Sequence, residues 1–412
     1  MNQGRGLTKR PFPAIFRSSL QNYMKIVMIG QKGLPARSGG IERHVENMAP
    51  GLASRGHEVI VYGRKWYAGD RSFECQGVQQ EFSPGIHTKH LDAITHSFTA
   101  LLRARRHKPD IIHIHGTGAA LLTPFARVIH PRAKTIVTIH CLDRVLSKWN
   151  GFARYAFNLG EKFACYFAHK TVAVSETLTR YCLMKYNRQT SFVTHPFPVM
   201  EQPGMESLET FGLQKDGYFL FVGRLIPDKQ AHVLVDAYVK ARKERPDIFE
   251  SKPLVIVGSG SSTTAYVDWM YRKVAGLSGV LMVGSQYGEA LRSLQAHAYA
   301  HVFPTSSEGL SLAVLEAGAF ARPVIATKIE ANIEATGGHM ISCVPENIDS
   351  LAQAMTFSAE MDRGQLSEIG TALAKHVAKA YDESDRIDDM TRLYNEAVYR
   401  KNELVTELTL SA

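Results

Sequence analysis

Cysteine is scarce: Cys75, Cys141, Cys165, Cys182 and Cys343 are scattered through 412 residues, and none forms a Cys-x-x-Cys pair. No disulfide framework or zinc-finger spacing follows, and buried thiols in a reducing compartment are expected. Long apolar runs are also missing. None reaches the ~18–20 residues needed to span a bilayer. Residues 1–23 carry Arg5, Lys9, Arg10 and Arg17 without an apolar segment or a small-residue cleavage site. They read as a basic leader rather than a secretory signal, either a disordered tail or an unused upstream start. Asp-x-Asp occurs nowhere, nor do short repeats or low-complexity stretches.

What is present is an alternation of apolar runs and helical patterns. With 45% hydrophobic, 21% charged and 9% aromatic residues, the chain is globular and long enough for two domains with full cores. Strands are expected at Lys25–Gly30, Glu58–Tyr62, Ile111–His115, Thr135–His140 and Thr171–Ser175. A second series covers Tyr218–Gly223, Leu254–Gly258, Val280–Gly284, His301–Pro304 and Pro323–Thr327. Continuous apolar runs of this kind suit parallel strands covered on both faces, and the alternation implies right-handed crossovers. The chain therefore divides into the leader 1–23, an α/β domain over 24–200, a second over 201–383, and a terminal helical segment over 384–412. The Pro-rich stretch His195 to Gly204 marks the join.

The net charge of +9 is uneven. Residues 1–203 hold 28 Lys+Arg against 12 Asp+Glu, while residues 204–412 hold 20 against 27. A basic first half fits an anionic partner such as a membrane surface, a phosphorylated lipid or nucleic acid; a solvated basic surface is the plain alternative. Arg103-Ala-Arg-Arg-His-Lys108 and Arg64-Lys-Trp-Tyr67 are the candidate lipid-facing segments. No zinc finger, RNA-binding aromatic motif or recognition helix accompanies the charge, so nucleic acid is not expected.

Four segments carry chemistry, all at the carboxyl ends of expected strands, where open parallel sheets bind ligands. In Pro304 to Ala319 a strand leads through a polar loop into a helix, with Glu308 in the loop and Glu316 eight residues on. Unpaired N–H groups at Gly309, Leu310 and Ser311 would favour phosphate, and paired carboxylates suit vicinal hydroxyls. The plainer reading is a helix-start acid and a solvated helix residue. In Phe221-Val-Gly-Arg224 to Lys229, two cations five residues apart can neutralise a diphosphate, although surface Arg and Lys are common. In Gly30 to Glu46 the pair Gly39-Gly40 permits close backbone approach. This loop is neither a P-loop nor the dinucleotide fingerprint, and a plain turn explains it as well. His140 ends a strand and points toward the cleft. His113 and His115 share a face; a metal pair is conceivable, but no third ligand is evident at suitable spacing, and core or cleft-lining roles are expected.

Together these segments resemble the GT-B-fold retaining glycosyltransferases of family 4 (glycosyl transferases group 1). Glu308 and Glu316 are similar to that family's Glu-x7-Glu motif. Val222-Gly-Arg224 through Lys229 is similar to its V-G-R-L-x-x-x-K signature, Gly39-Gly40-Ile-Glu42 to its glycine loop, and Val137-Thr-Ile-His140 to its strand ending in histidine. The resemblance runs from Met24 to about residue 400. It departs at Thr194-His-Pro-Phe-Pro-Val199, at Ala321-Arg322-Pro-Val324 and at Lys328 to Glu334.

The resemblance implies an α/β fold of two doubly wound, Rossmann-like domains facing a central cleft. It implies that Arg224 and Lys229 bind the donor diphosphate, Glu316 the ribose and Glu308 the donor sugar, with Gly309, Leu310, Ser311 and Leu312 nearby. His140 would face the donor sugar, and Gly39 or Gly40 would approach the phosphates. It implies sugar transfer from a UDP or GDP donor to a saccharide or lipid-linked acceptor, with retention of configuration. A terminal helix returning to the first domain is also implied. With Asp-x-Asp absent, no metal and no other cofactor is expected. The expected location is the cytoplasm, with peripheral contact at the inner membrane face. A nucleotide-sugar epimerase of similar fold and a non-catalytic sugar-binding protein are the rivals.

Overall fold

The computed structural model describes residues 23–69, 74–88, 91–146, 149–260 and 264–399. Residues 1–22 of the basic leader and 400–412 of the last segment lie outside them. The first sheet contains β1 (Lys25–Ile29), β2 (Glu58–Gly63), β3 (Glu74–Cys75), β4 (Val78–Phe82), β5 (Ile111–His115), β6 (Lys134–Ile139), β7 (Lys170–Ala173) and β8 (Ser191–Phe192). Their order is β3-β4-β2-β1-β5-β6-β7-β8, parallel throughout except between β3 and β4. The second sheet contains β9 (Phe219–Val222), β10 (Leu254–Val257), β11 (Val280–Gly284), β12 (Ala300–Phe303), β13 (Val324–Thr327) and β14 (Ile341–Cys343). It runs β11-β10-β9-β12-β13-β14 and is wholly parallel.

Both doubly wound sheets expected from the alternation are present. Their central strands are the unbroken apolar runs: Ile26 to Ile29 and Leu254 to Ile256 are essentially inaccessible, because helices cover both faces. The strands β3, β4, β8 and β14 escape the apolar-run criterion. They lie at or next to sheet edges, are short, or carry polar residues as in Val78-Gln-Gln-Glu-Phe82. The strand order reverses between β1 and β5 in the first sheet and between β9 and β12 in the second. Ligand crevices form at such reversals, and the singled-out segments leave these strands or their neighbour β6.

The chain returns to the first domain at its end. Asp382 caps the helix Glu383–Val398 by accepting from the Asp385 N–H at 2.9 Å. That helix lies on the helix Gly40–Ser54: Arg55 bonds Asp388 at 2.5 Å, and Tyr394 reaches His113 at 2.6 Å. Beside it the inter-domain link pairs in parallel with the returning chain at Phe197, whose N–H donates to the Tyr381 carbonyl at 2.9 Å.

Candidate active site

In the second domain two loops are laced together. β9 ends at Val222, and the chain turns through Gly223 and Arg224 into a short turn at Pro227–Lys229. Gly223 donates to the Val257 carbonyl and Leu225 to that of Ser259, each at 3.0 Å. The Asp228 carbonyl accepts from the Ser306 N–H at 3.1 Å and the Thr305 hydroxyl at 3.2 Å, joining this loop to the one leaving β12. Lys229 and Glu308 form an ion pair across the join, with side chains 19% and 12% exposed. Arg224 is exposed and has no ion-pair partner among the described residues.

The helix Leu312–Ala319 follows, with Ser311 in extended conformation as its first, half-in residue. Gly309 and Leu310 precede it. Val314 already bonds the Ser311 carbonyl at 3.2 Å, so the helix-start donors free among the described residues are those of Ser311, Leu312 and Ala313. Glu316 lies one turn further along. Its Oε2 accepts from Gln295 Nε2 at 2.5 Å. Burial raises the Glu316 pKa above the usual carboxylate range, opposed by the charge of Arg43 and by the Gln295 bond.

Arg43 belongs to the first domain, so its field on Glu316 acts across the cleft. Its own helix, Gly40–Ser54, begins at Gly39, which has φ 105° and ψ 140°. Only glycine suits that conformation, and a Cβ there would stand 2.0 Å from Oε2 of Glu42. The loop before it is braced by side chains whose bracing role carried no signal in sequence. Glu42 Oε1 accepts from the Lys32 N–H and Glu46 Oε1 from the Ala36 N–H, each at 2.9 Å. The Tyr67 hydroxyl accepts from the N–H groups of Arg37 and Ser38 at 2.6 and 2.7 Å.

Tyr67 and Arg64 are therefore not lipid-facing, contrary to the reading of Arg64-Lys-Trp-Tyr67. Arg64 is 6% exposed; it binds Asp92 at 2.7 Å and the Gly30 carbonyl at 3.2 Å. A buried guanidinium needs such partners, and sequence gives no sign of them. Arg103, Arg105 and Lys108 do remain exposed.

His140 is 7% exposed, and its ring packs among other imidazoles. His44, His115 and His195 lie with ring centroids 4.8, 5.5 and 5.6 Å away. Folding brings His44 and His140 onto His115, so that one ring nitrogen of each lies within 4.8 Å of the others; His113 is not one of the three. Sequence spacing could not reveal this, since the contributing segments are far apart in the chain.

The two domains touch at these motifs. A Cβ on Gly40 would lie 3.7 Å from Leu312, and Gly309 abuts the backbone of His140. Glu334 closes the interface further along. It accepts from the N–H groups of Glu176 and Thr177 at 2.6 and 3.1 Å, capping the helix Glu176–Tyr186 of the other domain.

Residues 38–193 match the family model described as Glycosyltransferase Family 4, and residues 216–359 match Glycosyl transferases group 1. O-antigen chain mannosyltransferase C of Escherichia coli is 29% identical over 363 residues, covering 81% of this chain and 88% of that protein. Glycogen synthase of Mycobacterium tuberculosis is 24% identical over 369 residues, covering 81% and 85%. The crystal structure of Anabaena HepE in complex with UDP and glucose superposes with a TM-score of 0.72 at 16% identity, covering 90% of this chain and all of that one. Sucrose-phosphate synthase from Thermosynechococcus elongatus gives 0.77 at 17%, covering 90% and 98%. These likenesses establish the two-domain fold, and the paired family models span both domains: the chain belongs to the family 4 glycosyltransferases (glycosyl transferases group 1), which are built on the GT-B fold.

Proposed function

We propose that the protein is a retaining, metal-independent hexosyltransferase. It moves a sugar from a UDP- or GDP-sugar to a saccharide or lipid-linked acceptor in cell-surface polysaccharide or glycolipid synthesis. The observation that carries this reading is the crevice where β9 and β12 part. Arg224, Lys229 and the N-terminus of the helix Leu312–Ala319 gather positive potential there, beside the carboxylates of Glu308 and Glu316.

A departing nucleoside diphosphate gains negative charge in the transition state, and fixed cations lower that barrier. Arg224 and Lys229 take the diphosphate, together with the N–H groups of Leu312 and its neighbours. Lys229 is pre-positioned by its pair with Glu308, which turns to the donor sugar as the diphosphate takes over the ammonium. Glu316 accepts from the ribose hydroxyls. Gly39 and Gly40 bring backbone near the phosphates, and His140 lines the sugar side. The acceptor hydroxyl attacks from the face the diphosphate leaves, and a diphosphate oxygen takes its proton. This gives retention without a protein nucleophile. No metal or other cofactor enters the scheme.

A lipid-linked acceptor at the inner membrane face is favoured by an apolar groove of about 570 Å³ lined by Pro84, Ile86, Ile94, Phe98 and Leu122. Exposed Leu102, Arg103, Arg105 and Lys108 lie on or just beyond the helix that carries Phe98. No helix among the described residues is long and apolar enough to cross a membrane.

The test is incubation with UDP- and GDP-sugars plus saccharide and lipid-phosphate acceptors, with the product's anomeric configuration read by NMR. Transfer with retention supports the proposal. Inversion contradicts it, and a changed sugar nucleotide with no diphosphate released favours the epimerase.

A further inference from the structure

Five histidines meet inside the first domain, and the donor scheme uses only one of them. His44 comes from the helix Gly40–Ser54, His113 and His115 from β5, His140 from the end of β6, and His195 from the chain after β8. All are buried. One ring nitrogen from each of His44, His115 and His140 lies within 4.8 Å of one from each of the others. Three atoms so spaced surround a point no more than about 2.8 Å from each, against ~2.0–2.1 Å for a Zn–N bond. Ring movements of less than about an ångström close that difference.

The hydrogen bonding points the same way. His44 Nε2 is buried without a partner among the described residues, and His115 Nδ1 lies 3.2 Å from His140 Nε2, about the separation of two nitrogens on one tetrahedral zinc. A buried polar nitrogen left unpaired is costly, and a ligand that takes its lone pair removes the cost. His44 Nδ1 lies 2.7 Å from His195 Nδ1. With the shared proton on His44, that bond fixes the ring and leaves the Nε2 lone pair free, the usual arrangement of a metal-bound imidazole. His113 is a wall rather than a ligand, because its nitrogens bond the Tyr394 hydroxyl at 2.6 Å and the Thr138 hydroxyl at 2.7 Å. Three imidazoles without a carboxylate suit a borderline transition ion, not Mg²⁺.

We propose that His44, His115 and His140 bind one transition-metal dication of the zinc class, with His195 as the positioning residue and solvent in the fourth place. The inference shares His140 with the donor scheme, but it concerns metal uptake, which is read without any sugar donor. Failed uptake leaves that scheme intact, and a failed donor scheme leaves uptake unchanged.

The test uses tag-free, full-length protein dialysed against EDTA and returned to chelator-free buffer. Zn²⁺ is titrated by calorimetry and Co²⁺ by visible absorption. One ion per chain is expected, with Co²⁺ bands of four-coordinate intensity. His44→Gln and His115→Gln abolish uptake, His195→Ala weakens it about 10–100-fold, and His339→Gln, an exposed histidine elsewhere, leaves it unchanged. Circular dichroism establishes that each variant is folded. Absence of saturable uptake by folded wild type overturns the proposal, as does uptake that survives undiminished in both His44→Gln and His115→Gln.

Discussion

Gly309 presses so closely on His140 that a Cβ on it would stand 1.9 Å from the His140 carbonyl oxygen. Two loops from different domains are thus in backbone contact at the candidate site. Gly309→Ala forces them apart at the candidate site. Turnover is expected to fall about 100-fold, the order associated with a 1 Å misplacement of reacting groups, while the thermal midpoint barely moves. Wild-type turnover in this variant would show that this contact does not set the productive geometry.

Glu316→Gln keeps the bond from Gln295 within reach by an amide flip but removes the charge. Losing a charged hydrogen-bond partner costs about 1.5–3 kcal/mol, so the donor KM is expected to rise about 10–100-fold. Because the Glu316 pKa is raised by burial, donor affinity of the wild type should weaken as pH falls toward that pKa. The variant's profile should be flat there. Equal pH profiles in initial-rate assays would remove Glu316 from the donor site.

Those two positions also show what was legible in sequence. Glu308, Glu316, Arg224 and Lys229 stand out because they leave apolar strands at the positions where a doubly wound sheet binds ligands. The domain pair follows from the runs that form β1, β5, β9 and β10. Arg43, Tyr67 and Glu46 carry no such signal, since their contacts depend on loops and domains meeting in space. Arg64 misleads for the same reason: a cation beside Trp66 reads as surface, yet Asp92 draws it inward. The histidine cluster is hidden because its members come from four separate segments.

Glu334 belongs to a stretch where this chain departs from its family's usual phrase, and it caps a helix of the opposite domain. Glu334→Ala removes that cap, worth about 0.5–2 kcal/mol. The radius of gyration measured by small-angle scattering should increase as the domains separate more often. An unchanged scattering profile would mean the interface closes without it.

The buried histidines make stability pH-dependent. His113 and His195 are held down at about 3 by burial, against about 6.5 in the unfolded chain. Below pH 6.5 the unfolded chain binds protons that the folded protein refuses. Stability is therefore complete above pH 6.5 and is lost as pH falls toward 3, at about 1.4 kcal/mol per pH unit for each such histidine. Urea midpoints should drop between pH 7 and pH 5, and less steeply in His195→Gln. A flat profile would contradict the burial argument.

The most direct test of the central claim is release of nucleoside diphosphate from a donor panel in EDTA, with Arg224→Ala run in parallel. The account predicts release from one donor that persists in EDTA and falls about 100–1,000-fold in the variant, the scale of removing a transition-state charge partner. Release that stops in EDTA and returns with Mg²⁺ or Mn²⁺, or that is untouched by Arg224→Ala, would contradict it.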